Sequence, residues 1–254
     1  MDNLPRLTFL GHSTVLIELA RLRILTDPVL FDRVRLLKRV VTSLDASLYA
    51  GIDLVLISHL HLDHFDLQSL RLVGQDVHLV VPLGAGRLLE QAGFEHVDEL
   101  APGEQVVVGD LRVTATPAAH GGFRPPLGPR AMAVGFLLEA GAAKLYFAGD
   151  TDLFDGMAEL APNLDVAFLP VWGWGPSLGP GHLDPRGAAK ALRLLRPRYA
   201  VPIHWGTYWP FGFGRVRAHR LSEPPLEFAE SAAEIAPDTV VLVTPPGEPV
   251  SFAP

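Results

Sequence analysis

The sequence predicts a layered α/β domain in which one sheet packs on another and helices cover the outside. Three observations support this prediction. Short runs of β-branched and aliphatic residues outnumber the segments with helical periodicity. The early runs follow one another directly, as in a meander, whereas the later runs alternate with helical segments. We therefore expect mixed sheets rather than one doubly wound sheet made of uniform βαβ units.

The individual elements follow from residue type and period. Strands are predicted where β-branched and aliphatic residues run together between turn residues, at Leu7–Leu10, Thr14–Leu19, Leu22–Thr26, Asp53–Ser58, His78–Val81, Leu111–Thr116, Ala131–Leu138, Lys144–Ala148, Asp165–Leu169, Tyr199–Ile203 and Thr239–Val243. Helices are predicted where apolar residues recur every three or four positions, at Leu67–Val73, Gly86–Ala92, Phe154–Leu160, Pro185–Leu195 and Leu226–Ile235. Pro and Gly concentrate in the loops 121–129, 173–181 and 206–214.

The composition predicts a single folded domain, residues 1–254, because 48% of the residues are hydrophobic and only 19% are charged. The net charge of −7 argues against nucleic acid as a partner, since phosphates attract basic surfaces. No apolar stretch has the length of a transmembrane segment, and the first residues lack the pattern of a signal peptide. We therefore expect a cytoplasmic protein; these features define no oligomeric state.

A dense group of potential metal ligands follows the strand predicted over Asp53–Ser58, namely His59, His61, Asp63 and His64. The chain has no cysteine, so a transition metal must be held by imidazole and carboxylate groups. In extended backbone, His59 and His61 project to the same side and can reach one ion. The chain must then turn toward the next helix, which can direct Asp63 and His64 to a second, neighbouring ion.

The alternative is a surface turn with solvated histidines. That interpretation does not explain why the apolar residues Leu60 and Leu62 alternate with the histidines. Further candidate ligands follow three other predicted strands, namely His120, Asp150 and His204. Taken singly, Asp150 could be a turn and helix cap, and a lone histidine is usually structural. Together, they strengthen the prediction of a metal centre.

At this point the sequence resembles the metallo-β-lactamase superfamily, whose H-x-H-x-D-H motif is matched by His59, His61, Asp63 and His64. The later histidine, aspartate and histidine of that family correspond to His120, Asp150 and His204. The resemblance implies a four-layer αββα sandwich, the metallo-β-lactamase fold. It also implies one ion on His59, His61 and His120, a second on Asp63, His64 and His204, and Asp150 as the bridge between them.

A narrower resemblance rests on four segments, Phe9–Glu18, Leu25–Pro28, His182–Pro185 and Ile203–Thr207. They are similar to one branch of the superfamily, which contains the phospholipase D that hydrolyses N-acyl phosphatidylethanolamines and the ascorbate 6-phosphate lactonases. The His-Trp-Gly-Thr sequence of the last segment is closer to the phospholipase. Because the two chemistries differ, the resemblance does not assign a substrate.

The expected activity is hydrolysis, because two neighbouring metal ions can generate a bridging hydroxide near neutral pH and polarise the substrate. A phosphodiester or phospholipid-like ester is the first expectation, and a lactone or carboxylic ester is the alternative. An iron-dependent dioxygenase or a non-catalytic metal-binding protein would be a different class. Zinc is the default ion for this ligand set, with manganese or iron as alternatives. The partner is therefore a small-molecule or lipid-like substrate.

Four residues, one of them also a candidate ligand, are candidates for a role beside the metals. Asp63 is expected to accept a proton during catalysis. His12, in a Gly-His-Ser-Thr turn, can orient a ligand or contact substrate, although a buried structural histidine is as good an explanation. His182 lies before a helix that Asp184 would cap, and the resemblance favours substrate contact over loop packing. Asp27 either supports the metal loop or closes a Thr-Asp-Pro turn.

Two side-chain clusters have open interpretations. The tryptophans Trp172, Trp174, Trp205 and Trp209, with Tyr208, Phe211 and Phe213, favour an apolar wall for substrate over core packing by a small margin. The basic residues Arg33, Arg35, Lys38 and Arg39 could attract an anion, but a solvated face is the preferred interpretation.

Overall fold

The computed structural model describes residues 4–124, 128–175, 178–212 and 218–252. Its strands, in chain order, are β1 Arg6–Gly11, β2 Thr14–Leu19, β3 Leu22–Thr26, β4 Arg33–Val34, β5 Leu37–Arg39, β6 Leu54–Leu56, β7 His78–Pro82, β8 Val97–Leu100, β9 Gln105–Val108, β10 Leu111–Pro117, β11 Val134–Ala140, β12 Ala143–Phe147, β13 Val166–Pro170, β14 Tyr199–Ile203, β15 Tyr208–Pro210, β16 Val240–Val241 and β17 Glu248–Pro249. The α-helices are α1 Leu67–Val73, α2 Gly86–Gln91, α3 Pro185–Leu195 and α4 Pro224–Ile235.

Two seven-stranded mixed sheets form the centre of the molecule. The strand order is β17-β1-β2-β3-β6-β7-β8 in the first sheet and β16-β14-β13-β12-β11-β10-β9 in the second. In the first sheet the pairs β3–β6, β6–β7 and β7–β8 are parallel, and in the second the pairs β12–β13, β13–β14 and β14–β16 are parallel. The remaining pairs in these sheets are antiparallel. The expectation of mixed sheets is confirmed.

The two sheets share one apolar core. Residues of the first sheet such as Phe9 and Ile17 and residues of the second such as Phe136 and Phe168 belong to the same buried cluster. A second cluster lies under the helices α1 and α2, on the other side of the first sheet, and α3 and α4 cover the second sheet. The helices are therefore the outer layers, and the predicted αββα sandwich is confirmed.

Local sequence explains why the best-defined helix starts where it does. Asp184 has extended backbone and its side chain accepts a hydrogen bond from the amide of Gly187, 2.6 Å away, which caps the helix α3. Pro185 then occupies the first helical position, where its missing N–H is not needed. The helix buries Ala188 and Leu192 against the second sheet. Its predicted bounds are confirmed.

Some predicted elements were wrong in extent. The helix predicted over Phe154–Leu160 is only a 3₁₀ turn, Met157–Glu159, because Gly156 takes a left-handed conformation (φ +86°) in the middle of the segment. The strand predicted from Ala131 begins at Val134, and the strand predicted over Thr239–Val243 is reduced to two residues. The helical periodicity of the apolar residues did not reveal that Gly156 interrupts this segment.

A third, small sheet was not predicted. Its order is β15-β5-β4, and it packs through Val34, Leu37 and Tyr208 against Leu62 in the segment that carries the candidate ligands. The Tyr208 hydroxyl donates to the carbonyl oxygens of Val29 and Phe31, each 3.0 Å away. The small sheet therefore contacts the candidate ligand segment at Leu62. Within the described residues, no helix is long and apolar enough to span a membrane.

Candidate metal centre

The loops that carry the candidate ligands meet at one edge of the two sheets. His12 follows β1, Asp27 follows β3, the His59–His64 segment follows β6, and His120, Asp150 and His204 follow β10, β12 and β14. These strands run in the same direction within each sheet. Ligands in layered α/β proteins bind at the carboxyl ends of such strands. The topology thus brings residues from distant parts of the chain together.

Most of the candidate ligands belong to two compact groups of side chains, which smaller groups around Asp27 and Asp150 overlap. One consists of His59, His61 and His120, and the other of His12, Asp63, His64 and His204; within each group, one potential ligand atom of every residue lies within 4.8 Å of the others. The predicted strand Asp53–Ser58 ends at Leu56, and a turn follows in which the amides of His64 and Phe65 donate to the carbonyl of His61. That turn separates the first two histidines from Asp63 and His64.

Asp150 lies between the two groups. Its Oδ2 atom is 3.2 Å from Nε2 of His64, 3.8 Å from Nε2 of His59 and 4.0 Å from Nε2 of His120. Its Oδ1 atom is 3.3 Å from Nε2 of His204. One carboxylate therefore faces imidazoles of both groups, which is the position that a bridging ligand needs.

The buried carboxylate of Asp27 orients two of these imidazoles. It accepts hydrogen bonds from Nδ1 of His64 (2.8 Å), from the amide of Ser58 (2.7 Å) and from the Ser58 hydroxyl (2.6 Å). Since the hydroxyl has donated its proton to Asp27, its oxygen accepts from Nδ1 of His59, 3.0 Å away. Both imidazoles thereby keep a proton on Nδ1, so in their neutral form Nε2 carries none. These contacts favour the interpretation that Asp27 supports the metal loop over the interpretation that it only closes the Thr-Asp-Pro turn.

Backbone carbonyls orient the other three imidazoles. Nδ1 of His204 donates to Trp172 (2.5 Å) and Nδ1 of His120 donates to Gly181 (2.8 Å). Nε2 of His61 donates to the carbonyl of Phe123 (3.0 Å). A carbonyl can only accept, so each of these rings carries its proton on the nitrogen that faces the carbonyl. We call this the outer nitrogen and the other ring nitrogen the inner one. The inner nitrogen of each ring is then an unprotonated lone-pair donor, as in metal-ligating histidines.

The inner nitrogens fit a cation. Nε2 of His120 and Nδ1 of His61 are 3.0 Å apart although neither carries a proton, and a positive ion between them removes the repulsion of the two lone pairs. Among the described residues, Nε2 of His59, His64 and His204 and Oδ1 of Asp150 are buried without a hydrogen-bond partner. Buried polar atoms are nearly always satisfied, so these atoms fit coordination of metal ions.

The pKa shifts of these residues agree with a site that accommodates a cation. Burial is the main reason that the pKa of His12 is lowered to about 3 and that of His120 to about 4. Burial opposes the charged form of Asp150 too, but His204 and His64 outweigh it and lower its pKa. The pKa of His64 is raised despite burial, because the charges of Asp150 and Asp63 favour its cation. A metal ion would supply the positive charge that a proton on His64 supplies here.

His12 is tied to the second group rather than exposed to solvent. Its Nε2 lies 2.9 Å from Oδ2 of Asp63, its carbonyl accepts from the amide of His204 (2.7 Å), and its own amide donates to Oγ1 of Thr207 (2.7 Å). His12 and His204 both have left-handed backbone, with φ of +54° and +64°. Such strain in non-glycine residues persists only where the surroundings enforce it, and it clusters at functional sites.

The Thr207 hydroxyl provides one of these restraints. It also donates to the carbonyl of Trp205 (3.0 Å), and it packs so closely on Gly11 that a Cβ there would lie 2.7 Å from Oγ1. Replacing Thr207 by valine should lower the free energy of unfolding by about 1–3 kcal/mol, because the amide of His12 loses its partner in a buried place. Urea denaturation measures this change. Thr207→Ser, which keeps the hydroxyl, should lose less than half as much; equal losses would contradict the hydrogen-bond explanation.

His182 reaches the cluster from the other side. Its Nε2 is 3.2 Å from Oδ2 of Asp150, and its Nδ1 faces the carbonyls of Gly179 (3.1 Å) and Pro180 (3.0 Å). Burial opposes its charge, but the hydrogen bond and charge of Asp150 raise the pKa of His182. Its side chain is 20% exposed, whereas His59, His64 and His204 are fully buried. It is therefore the histidine of the cluster best placed to touch both Asp150 and a bound molecule.

Arg124 was not singled out from the sequence, yet it holds the ligand segment from outside. Its guanidinium donates to the carbonyls of Leu60 and Phe65, the latter 3.0 Å away, and lies 5.1 Å above the Phe65 ring. The sequence did carry a signal for Thr207, because this residue belongs to the His-Trp-Gly-Thr segment. By contrast, a single arginine in a Pro- and Gly-rich loop gives no signal of its role.

The aromatic residues do not form the expected wall. Trp205 is buried and stacks on Phe9 with 5.8 Å between ring centroids, and Trp172 is buried under the guanidinium of Arg220. Trp209 and Tyr208 are also buried, Trp174 and Phe211 are exposed, and Phe213 lies outside the described residues. Core packing under loops, rather than a binding wall, explains why most of these rings occur together.

The basic segment agrees mostly with the solvated-face interpretation. Arg33, Arg35 and Lys38 are exposed. Arg39 is the exception, because it is buried and donates to the carbonyls of Leu10 (2.5 Å) and Thr42 (3.1 Å). Arg39 therefore ties the small sheet to the end of β1 and is not available to an anionic ligand.

A four-layer αββα fold with a buried cluster of imidazole and carboxylate ligands at one sheet edge defines a class of metalloprotein. Residues 22–205 match the family model described as the beta-lactamase superfamily domain. The chain therefore belongs to the metallo-β-lactamase superfamily. The match covers the strands and loops that carry every candidate ligand except His12.

Known relatives extend over nearly the whole chain. A protein of Opitutus terrae named UPF0173 metal-dependent hydrolase is 37% identical over 227 residues, which cover 85% of this chain and 90% of that protein. The solved structure of Igni18, described as a novel metallo hydrolase of Ignicoccus hospitalis, has a TM-score of 0.75 and 27% identity and covers 98% of both chains. CmlA, a diiron β-hydroxylase of Streptomyces venezuelae, has a TM-score of 0.69 and 20% identity over 96% of this chain and 53% of its own, and shares the fold.

Proposed function

We propose that the protein is a metal-dependent hydrolase that holds two divalent metal ions. One observation carries the proposal: five imidazoles each have their outer nitrogen bound to a neighbour, and the inner nitrogens of four of them face the buried carboxylate of Asp150, while that of His61 lies beside the inner nitrogen of His120. Neutral histidines oriented in this way are typical of metal sites. The names of the relatives from Opitutus terrae and Ignicoccus hospitalis support the same activity.

The two groups suggest how the ions are held. In our assignment His59, His61 and His120 bind one ion, Asp63, His64 and His204 bind the other, and Asp150 bridges both. His12 is a positioning residue in this assignment, since its Nε2 contacts Asp63 at 2.9 Å. Imidazole and carboxylate ligands suit zinc first and also accept manganese or iron.

Two such ions would lower the pKa of a bound water and polarise the oxygen of the substrate. The side chains of the protein would provide proton transfer and exclude water. Asp63, with Oδ2 held by His12, can accept a proton, as proposed from the sequence. His182 keeps its Nδ1 proton on two carbonyls, so its half-buried Nε2 can exchange a proton with the leaving group. The buried ligands around them exclude bulk water from the reacting atoms.

A phosphodiester or a phospholipid-like ester is the substrate class that we propose. The support is the similarity of the His-Trp-Gly-Thr segment, His204–Thr207, to the phospholipase branch of the superfamily. A lactone or a carboxylic ester is the alternative within the same chemistry, because the other enzymes of that branch open lactones. The fold that CmlA shares with this chain does not favour a redox function.

The test is the initial rate of hydrolysis of bis(4-nitrophenyl) phosphate by protein loaded with two equivalents of zinc or manganese. We expect turnover that disappears with a chelator. In the variant His61→Ala it should fall at least about a hundredfold, because metal ions supply several kcal/mol of transition-state stabilisation. His96→Ala, which removes an exposed histidine outside the cluster, is the matched control and should keep full activity.

Each outcome of this test has a consequence. Two bound ions without phosphodiester turnover would move lactones and carboxylic esters to first place. Two bound ions without any hydrolysis would contradict the proposed function, and oxygen consumption with bound iron would replace it by a dioxygenase activity. Equal activity of the His61→Ala variant and the wild type would remove His61 from the metal centre.

A further inference from the structure

A cavity of about 480 Å³ lies beside the metal centre. It is formed between the turn after β7 and the two short stretches 121–123 and 130–132, and its walls include Leu83, Gly122, Phe123, Arg130, Ala131 and Met132. A volume of this size is within the range of small-molecule binding sites. None of these residues is a candidate ligand, so the cavity is distinct from the metal centre itself.

The wall of the cavity is apolar and open to solvent. Leu83, Phe123 and Met132 are 47%, 38% and 45% exposed, although large apolar side chains gain free energy by burial. Exposed apolar residues that are scattered singly need no explanation, but several around one cavity mark a binding surface. The three side chains would be buried by an apolar group that fills the cavity.

The backbone around the cavity is held in place. The amide of Met132 donates to the carbonyl of Leu83 (3.1 Å), and the amide of Ala131 donates to the carbonyl of Gly122 (3.0 Å). Phe123 and Arg130 form an isolated β-bridge, and the Arg130 guanidinium lies 5.5 Å above the Phe123 ring. The apolar wall is therefore built into hydrogen-bonded backbone and does not depend on a chance arrangement of side chains.

The cavity is joined directly to one of the two ligand groups. Gly121, which follows the ligand His120 in the chain, lines it. The carbonyl of Phe123, another lining residue, accepts the hydrogen bond from Nε2 of His61. An apolar group in the cavity would thus lie at the outer side of the His61 ring, whose inner nitrogen is assigned to the ion on His59, His61 and His120.

We propose that this cavity binds the apolar alkyl or acyl group of the substrate, so that the protein prefers esters with a chain of several carbons over those with a methyl group. The inference rests on the proposed hydrolase function and adds to it the place and the chemistry of substrate selection. It predicts that chain length changes the rate even when the bond that is broken stays the same.

The first experiment compares methyl and octyl 4-nitrophenyl phosphate, both below the concentration at which the octyl ester forms micelles. Burial of one methylene changes kcat/KM by about fourfold when it is complete. Because the cavity is open on one side, we expect kcat/KM of the octyl ester to be at least about tenfold higher than that of the methyl ester. Leu83→Gln with Met132→Gln should remove most of this preference.

A matched control carries the same kind of change elsewhere. Val107 and Leu226 are 61% and 59% exposed and lie on β9 and α4, away from the cavity. The double variant Val107→Gln with Leu226→Gln should keep the wild-type preference for the octyl ester. The proposal is overturned if the wild type shows no preference, or if the two double variants behave alike.

A binding experiment separates this proposal from the proposed function. Octyl phosphate and inorganic phosphate are compared as competitors of 8-anilino-1-naphthalenesulfonate, a fluorescent apolar anion, and no hydrolysis is required. In wild type and control, octyl phosphate should displace the probe at a concentration at least about tenfold lower than inorganic phosphate, but not in the cavity variant. If no ester is hydrolysed and this difference is still found, the cavity proposal stands without the hydrolase; if the difference is absent, the cavity proposal is overturned.

Discussion

Replacing Asp150 by asparagine is expected to lower kcat/KM at least about a thousandfold and to release at least one of the two proposed metal ions. Asparagine has the same shape but lacks the negative charge. Its NH₂ group would also face imidazole nitrogens that need an acceptor or an ion, since Oδ2 of Asp150 is 3.2 Å from Nε2 of both His64 and His182. Metal content by mass spectrometry and initial rates measure the two effects on the same sample.

Asp152→Asn is the matched control for this variant. Asp152 is exposed, lies two residues further along the same loop and accepts a local hydrogen bond from the amide of Leu153. We expect it to keep both the metal content and the rate. An Asp150→Asn protein with two ions and the activity of the wild type would contradict the bridging position of this carboxylate.

Replacing Asp27 by alanine should have the largest effect on stability. The carboxylate is fully buried and accepts three hydrogen bonds, from His64 and from the amide and hydroxyl of Ser58. Removal of one member of a buried, hydrogen-bonded pair lowers the free energy of unfolding by about 3–5 kcal/mol. Because His64 and His59 lose their orientation, metal affinity should also fall by about 10–100-fold.

Urea denaturation of the metal-free protein and competition with a chelator measure these effects separately. Asp32→Ala is the control, since Asp32 is an exposed carboxylate whose side chain accepts from the Ser43 hydroxyl. Its unfolding free energy should change by less than about 1 kcal/mol. If Asp27→Ala lowered stability but left the metal affinity unchanged, Asp27 would only close its turn and would have no role in orienting the ligands.

The sequence predicted the centre of the fold well because strong local patterns and tertiary packing agree there. The strands β2, β3 and β14 and the helices α1 and α3 have the predicted bounds. These segments combine β-branched runs or helical periodicity with clear breaks at either end. The candidate ligands were found because histidines and aspartates at strand ends are distinctive without any knowledge of their partners.

Other features depend on contacts that no local pattern records. The strands of the small sheet have two or three residues each, which is too short for a period to be recognised. Arg124 and the carbonyl of Phe123 contact the His59–His64 segment only after the chain has brought a distant loop to it. The aromatic residues were misjudged for the same reason, since proximity in sequence does not tell whether Trp205 faces a pocket or the core.

The long sequence separation between hydrogen-bonded residues bears on the order in which parts of the protein fold. The hydrogen bond between His12 and Thr207 joins residues 195 positions apart, and the one between His120 and Gly181 joins residues 61 positions apart. Contacts this far apart form late, because a large loop of chain must first close. At the proposed metal centre, only the short His59–His64 segment would be able to bind an ion before these contacts form. Metal uptake at native affinity would then report that folding is complete, and a chain halted midway would lose bound metal to a competing chelator.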